Sequence, residues 1–144
     1  MLCKSLIPVL SVFLFTPLFA QKVEPTFKQV SYGPHKDMVL NFWKIDSKKP
    51  TPLLVHIHGG GWLGGKKNET TSPNQLKNGY SYASIDYRLA GVELLPAAVH
   101  DAARAIQFLR TKAKEWNFDP KHIAVTGGSA GAASSMWLAY HDDM

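Results

Sequence analysis

Residues 127–131 read GGSAG and place a serine, Ser129, midway between two glycines. The pattern G-x-S-x-G is typical of a sharp turn from a strand into a helix, in which small flanking residues let the turn close. Such a turn exposes the hydroxyl group at the edge of a sheet and directs the positive end of the helix dipole towards it. The pattern therefore predicts that Ser129 is a nucleophile for acyl transfer.

A second glycine-rich segment, residues 58–62 (HGGGW), follows a short apolar run. Backbone amides without side chains beside them can approach a substrate oxygen closely and stabilise the negative charge that develops on it. We expect Gly60 and Gly61 to supply such amides, together with the amide of Ala130, and Gly59 is the less favoured donor. The two segments support each other because each stands at the end of a predicted strand.

The histidines offer no evident base for Ser129. His58 is expected to orient the glycine loop, and His141 follows Ser129 by about 18 Å of helix. The other histidines of the same region are expected to lie away from the serine, on strands or a covering helix: His56, His100 and His122. We therefore assign neither the base nor the acid of a catalytic triad.

A nucleotide site is the competing interpretation of the first glycine segment. Residues 59–64 also fit G-x-G-x-x-G, and Asp86 follows at the distance of a ribose-binding acid. Residues 60–67 approach a P-loop, but Lys67 stands where Mg²⁺ coordination needs Ser or Thr. Both motifs require a helix that starts at the glycines, whereas residues 65–73 have no apolar face. The nucleotide interpretation is therefore the minor one.

Strands and helices alternate around these segments. Two edge strands are predicted at 27–32 and 38–45, followed by three strands of the sheet core at 53–58, 80–87 and 122–126. Helices are predicted to open at Pro96 and at about Ser129. Apolar runs favour a mostly parallel sheet with helices on both faces, which is the α/β class. The small number of core strands suggests an incomplete domain, the N-terminal half of a larger one, and an independent fold is the alternative.

Composition excludes several classes of protein. The chain has 144 residues, with 16 Lys and Arg against 11 Asp and Glu, a formal net charge of +5 and one Cys. The basic residues are scattered, so neither a nucleic-acid partner nor a polybasic membrane surface is predicted, and Lys66 and Lys67 are expected to be solvated. A single Cys excludes an internal disulfide framework and a Cys-based zinc cluster.

Residues 1–20 are predicted to be a secretory signal peptide. Lys4 precedes an apolar run over 6–19, and Ala20 is small enough to stand before the cleavage site. The run is short for a membrane span, so a stable span is not expected, and an uncleaved anchor is the alternative. Cleavage would leave residues 21–144 as the N-terminal part of the domain, in a secreted or periplasmic protein.

The two glycine segments together resemble the α/β-hydrolase esterases, in particular the hormone-sensitive-lipase-like and carboxylesterase-like branch. Residues 86–90 (DYRLA), 96–101 (PAAVHD) and 119–125 (DPKHIAV) are similar to the same branch. The resemblance extends from about residue 53 to about residue 138.

This resemblance implies hydrolysis of small-molecule carboxylic esters through an acyl-enzyme on Ser129, with no cofactor and no metal. It implies that Gly60, Gly61 and Ala130 form the oxyanion hole and that Asp86 braces the fold. The alternatives are a peptidase or lactonase of the same fold and, from another class, a truncated non-catalytic binding fragment that lacks the triad acid and histidine.

Overall fold

A computed structural model describes residues 22–141. The predicted signal peptide, residues 1–20, lies outside the described residues. In chain order the elements are β1 (Phe27–Ser31), β2 (Val39–Trp43), β3 (Thr51–Ile57), α1 (Pro73–Leu76), β4 (Ser81–Ile85), α2 (Ala97–Trp116), β5 (Phe118–Gly127) and α3 (Ala130–Tyr140). The predicted α/β class is confirmed.

The strands form a five-stranded sheet in the order β1-β2-β4-β3-β5. β4, β3 and β5 run parallel, and β1 and β2 extend the sheet antiparallel beside β4. The register aligns Ile57 of β3 with Ile85 of β4 and Gly127 of β5. The three parallel strands therefore finish at one edge of the sheet, where functional residues of open α/β sheets are concentrated.

β2 is an interior strand, so the prediction of two edge strands is wrong for the second of them. It pairs with β1 on one side and with β4 on the other. Leu40 and Phe42 are fully buried in the core, and Asn41 is buried on the opposite face. The Asn41 side chain accepts a hydrogen bond from the Gln29 amide and donates one to the Asn68 carbonyl. Both edges of β2 are paired because β4, a later segment of the chain, adds to the side of β2 that β1 leaves free.

The long helices share one face of the sheet. α2 presents small and aliphatic side chains to the core, among them the fully buried Ala102, Ala105 and Leu109. α3 lies beside α2, and both helices border a groove over Ile123 and Val125 of β5. The segment after the glycine loop contacts the sheet through Asn68, whose backbone amide donates to Ser84 Oγ and whose side chain donates to the Tyr82 hydroxyl.

α2 ends at Trp116 and leads directly into β5. Asn117 adopts a left-handed conformation, with φ 60°, and its side-chain amide donates to the Ser47 carbonyl at 2.8 Å. Phe118 is buried and pairs with Thr51, so β5 begins before His122, where the prediction placed its start. Because β5 starts early, its pairing with β3 is longer. The candidate site lies where these two strands end.

Candidate active site

Ser129 occupies the turn between β5 and α3 in a conformation that side-chain-bearing residues rarely adopt, with φ 53° and ψ −121°. The flanking glycines face the backbone of β3. A Cβ atom on Gly127 would lie 2.5 Å from the Ile57 carbonyl oxygen, and one on Gly131 would lie 2.1 Å from the same atom. No side chain fits at either position, which gives the physical reason for the spacing G-x-S-x-G. The predicted sharp turn is confirmed.

The Ser129 residue is exposed at the carboxyl edge of the sheet and directly precedes α3. Ala130 is the first residue of that helix, and the first amides of a helix have no partner within it. These amides carry the partial positive charge of the helix N-terminus. An oxygen that becomes negative next to Ser129 would therefore be stabilised by the local backbone.

The first glycine loop folds back on itself after β3. The amides of Leu63 and Gly64 both donate to the Gly60 carbonyl, and Gly60 has a φ of 114°. Within this loop, Gly59 makes the close contact with the turn at 127–131, because a Cβ atom there would lie 2.7 Å from the Gly128 carbonyl oxygen. A Cβ atom on Gly61 would meet nothing within 4 Å. The loop therefore contacts the Ser129 turn through Gly59, while Gly61 borders open space.

His58 is buried beneath this loop. Its Nδ1 lies 2.8 Å from the Gly59 carbonyl oxygen, which can only accept, so Nδ1 carries a hydrogen and donates. The ring stacks on Tyr87 with 4.2 Å between centroids, and the Tyr87 hydroxyl donates to the His58 carbonyl at 2.9 Å. Burial raises the pKa of Tyr87 to about 12, so this hydroxyl remains a donor at neutral pH. His58 is thus fixed at its ring and at its backbone.

Lys67 is buried, so the prediction that it is a solvated loop charge is wrong. Its side chain is only 2% exposed, and its Nζ lies 2.8 Å from Glu69 Oε1 and 3.3 Å from Asp86 Oδ2. The hydrogen bond from Lys67 lowers the pKa of the Glu69 carboxyl group. The sequence contains no local signal for this burial, because Asp86 belongs to a different strand end.

Arg88 joins the segment after β4 to α2. Its Nε and Nη2 atoms donate to the two carboxylate oxygens of Asp101 at 2.9 and 2.7 Å, and Asp101 is buried. These hydrogen bonds raise the pKa of the Arg88 guanidinium group. On the other side, the Tyr32 hydroxyl donates to the Asp86 carbonyl. These contacts fix the position of the strand end that carries the Asp86 carboxylate.

No histidine within residues 22–141 makes a hydrogen bond or ring contact with Ser129. His141 lies beyond the last residue of α3, where its ring stacks on Trp137 and its Nδ1 lies 3.0 Å from the Trp137 carbonyl. His122 pairs with Asp119 in the first half of β5, away from the turn. The described residues therefore bring the Ser129 turn and the glycine loop together but place no histidine as a base for Ser129.

An apolar cavity of about 270 Å³ lies beside the glycine loop. Trp62 forms one wall, and its indole Nε1 donates to the Ser134 hydroxyl of α3 at 3.1 Å. The cavity is lined by Trp62, Leu95, Pro96, Val99, Ala133 and Trp137. Ala133 is one helical turn beyond Ser129, so this cavity lies close to the Ser129 turn.

Two further findings concern only the part of the chain that the structure describes. None of its helices combines the length and apolar character needed to cross a membrane. No group of three or more His, Cys, Asp or Glu side chains within it is arranged to hold a metal ion.

Comparisons with known proteins agree with this geometry. The BD-FAE family profile matches residues 42–144. Carboxylesterase NlhH of Mycobacterium tuberculosis is 35% identical over 101 residues, which span 68% of this chain and 32% of NlhH. The chain spans about a quarter to a third of the length of such curated relatives.

Solved esterase structures share the fold. A truncated carbohydrate esterase from gut microbiota matches with a TM-score of 0.69 at 26% identity, over 76% of this chain and 41% of that chain. An acetyl ester-xyloside bifunctional hydrolase from Caldicellulosiruptor lactoaceticus matches with a TM-score of 0.59 at 29% identity, over 81% of this chain and 45% of that chain. With its serine turn and its glycine loop on neighbouring parallel strands, the chain belongs to the BD-FAE family, within the hormone-sensitive-lipase-like α/β-hydrolase esterases.

Proposed function

We propose that the protein is a serine ester hydrolase that cleaves small-molecule carboxylic esters. The observation that carries the proposal is the strained, exposed Ser129 at the head of α3, against which the first glycine loop packs. The names of the relatives, which include a carboxylesterase and an esterase, support the same reaction class.

In this reaction the Ser129 Oγ forms a bond to the ester carbonyl carbon, and the carbonyl oxygen becomes negative. The amides of Ala130, Gly60 and Gly61 are the proposed donors to that oxygen. The bond to the alcohol oxygen then breaks, and the alcohol leaves with a proton. Water attacks the acyl-enzyme, releases the acid and restores the Ser129 hydroxyl. We assign the proton-transferring base to none of the described histidines.

His58 is proposed to orient the glycine loop. Its ring donates to the Gly59 carbonyl, and its own carbonyl accepts from Tyr87, so hydrogen bonds fix both the side chain and the backbone of His58. A donor that is fixed before the reaction needs no reorganisation when the charge develops, which is the basis of oxyanion stabilisation.

Hydrolysis of p-nitrophenyl acetate by the full-length protein tests the proposal. We expect turnover by the wild type, and we expect Ser129→Ala to lose at least about a thousandfold in kcat because the acyl-enzyme cannot form. Ser135→Ala is the matched control, since the Ser135 hydroxyl only donates to the Gly131 carbonyl within α3. A fluorophosphonate should label the wild type and Ser135→Ala, but not Ser129→Ala.

The same assay addresses the alternatives. Cleavage of a peptide or a lactone with a higher kcat/KM than any simple ester would favour a peptidase or lactonase. Absence of both turnover and labelling in the full-length protein would favour a non-catalytic binding protein. In that case the glycine loop and the apolar cavity would serve binding alone.

We also propose that the protein is exported, on the basis of the sequence of residues 1–20. N-terminal sequencing of protein recovered outside the cytoplasm should begin at Gln21. Recovery of an intact N-terminus in the membrane fraction would indicate an uncleaved anchor instead.

A further inference from the structure

The segment that follows the glycine loop packs against it. Gly65 packs so closely on the loop that a Cβ atom there would lie 2.3 Å from the Gly59 carbonyl oxygen and 2.4 Å from His58 Nδ1. The position of residues 65–67 therefore determines the position of the hydrogen bond between His58 and Gly59. Any group that fixes this segment also fixes the loop in front of Ser129.

Lys67 fixes this segment through both its backbone and its side chain. The Lys67 amide donates to Asp86 Oδ1 at 2.5 Å, while the Nζ atom lies 3.3 Å from Asp86 Oδ2. A second carboxylate, Glu69, takes the other side of the ammonium group at 2.8 Å. Removing an ammonium group from water is costly unless partners compensate it, and here two carboxylates do so.

Asp86 connects this lysine to the loop. Its Oδ1 lies 3.7 Å from His58 Nε2, in contact with the ring but too far for a direct hydrogen bond. The other ring nitrogen of His58 donates to the Gly59 carbonyl. Gly59 in turn lies against Gly128 and the Cβ atom of Ser129. A continuous series of contacts therefore leads from the Lys67 ammonium group to the nucleophile turn.

We propose that Lys67 is a positioning residue for the ester hydrolysis, an inference that rests on the proposed function. Its ammonium group keeps the Asp86 carboxylate directed at the lysine segment. Without that charge, the partly buried carboxylate would no longer be held on the lysine side, and the His58 ring beside it would lose its fixed position against the Gly59 carbonyl. The amides of the glycine loop would then lose their alignment with the oxyanion.

Kinetics of the full-length protein with p-nitrophenyl acetate test this role. Lys67→Met keeps the length of the side chain and removes its charge, and we expect kcat per active site to fall about 10- to 100-fold, less than the loss of a whole oxyanion donor. KM should change less than about twofold, since the loss concerns the transition state. Lys67→Arg should restore most of the rate because it retains the charge.

Lys66→Met is the matched control, because Lys66 is adjacent in sequence and exposed. It should keep the wild-type kcat and KM. Phenylboronic acid, which forms a tetrahedral adduct with a nucleophilic serine, should bind Lys67→Met more weakly by the same factor as the fall in kcat/KM. If Lys67 only stabilised the fold, Lys67→Met would lower the melting temperature. Its kcat, KM and affinity for phenylboronic acid, normalised to the sites titrated by a fluorophosphonate, would then match those of the wild type.

If Lys67→Met does not fold, a variant of Glu69, the more exposed carboxylate partner of Lys67, tests the same role. Glu69→Gln removes a partner of the ammonium group from a half-exposed position, and kcat should fall about two- to fivefold at constant KM. Wild-type kcat per titrated site in Lys67→Met, or in Glu69→Gln if the first variant is insoluble, would overturn the role of Lys67. Absence of turnover in the wild type would instead reject the proposed function.

Discussion

At the scale of single residues, the glycines on either side of Ser129 face the backbone of β3 and not the solvent. Gly131→Ala would place a methyl group 2.1 Å from the Ile57 carbonyl oxygen, so the turn or β3 must shift. We expect a loss of about 1–3 kcal/mol in the free energy of unfolding, the usual cost of overpacking a rigid site. Urea unfolding of the full-length protein measures this loss, and esterase activity should fall with it because the shift displaces Ser129.

Gly128→Ala is a control in the same turn. A Cβ atom on Gly128 would have no heavy atom within 4 Å, so the free energy of unfolding should stay within about 0.5 kcal/mol of the wild type. Equal losses in Gly128→Ala and Gly131→Ala would show that the turn is intolerant of any side chain, and the contact with Ile57 would not be the cause.

At the scale of elements, the sequence predicts what local sterics and periodicity determine. The turn at 127–131 is predictable because its requirement for small residues is local. The interior position of β2 is not predictable in this way, because its outer partner is β4, which comes later in the chain. The burial of Lys67 is unpredictable for the same reason, because its carboxylate partner Asp86 lies at the end of β4, a later segment of the chain.

The apolar face of α2 gives a prediction at this scale. Ala105 is fully buried against the sheet, so Ala105→Leu inserts volume into a packed layer and should lower the free energy of unfolding by about 1–3 kcal/mol. Thr111→Leu, at an exposed position of the same helix, should change it by less than about 0.5 kcal/mol. Equal effects at both positions in urea unfolding would contradict the assignment of the buried face.

At the scale of the whole molecule, the described part of the chain has an asymmetric sheet. β1 closes one edge as a short strand, while β5 pairs only with β3 among the strands of residues 22–141. On α3, which packs against β5, large apolar side chains are exposed: Met136 at 60%, Trp137 at 41% and Tyr140 at 79%. Unpaired strand edges and contiguous apolar surface both favour association with another chain.

Residues 22–144 produced alone should therefore self-associate as their concentration rises. Ala124 is exposed on β5, and Ala124→Lys should reduce this association because a charged side chain on an edge strand opposes pairing with a second strand. Asn74→Lys adds the same charge at an exposed position of α1, which precedes β4, and should leave the association unchanged. Sedimentation velocity over a range of concentrations measures both effects. A monomer at every concentration, or an equal response to the two lysines, would mean that the open edge of β5 does not govern how this part of the molecule associates.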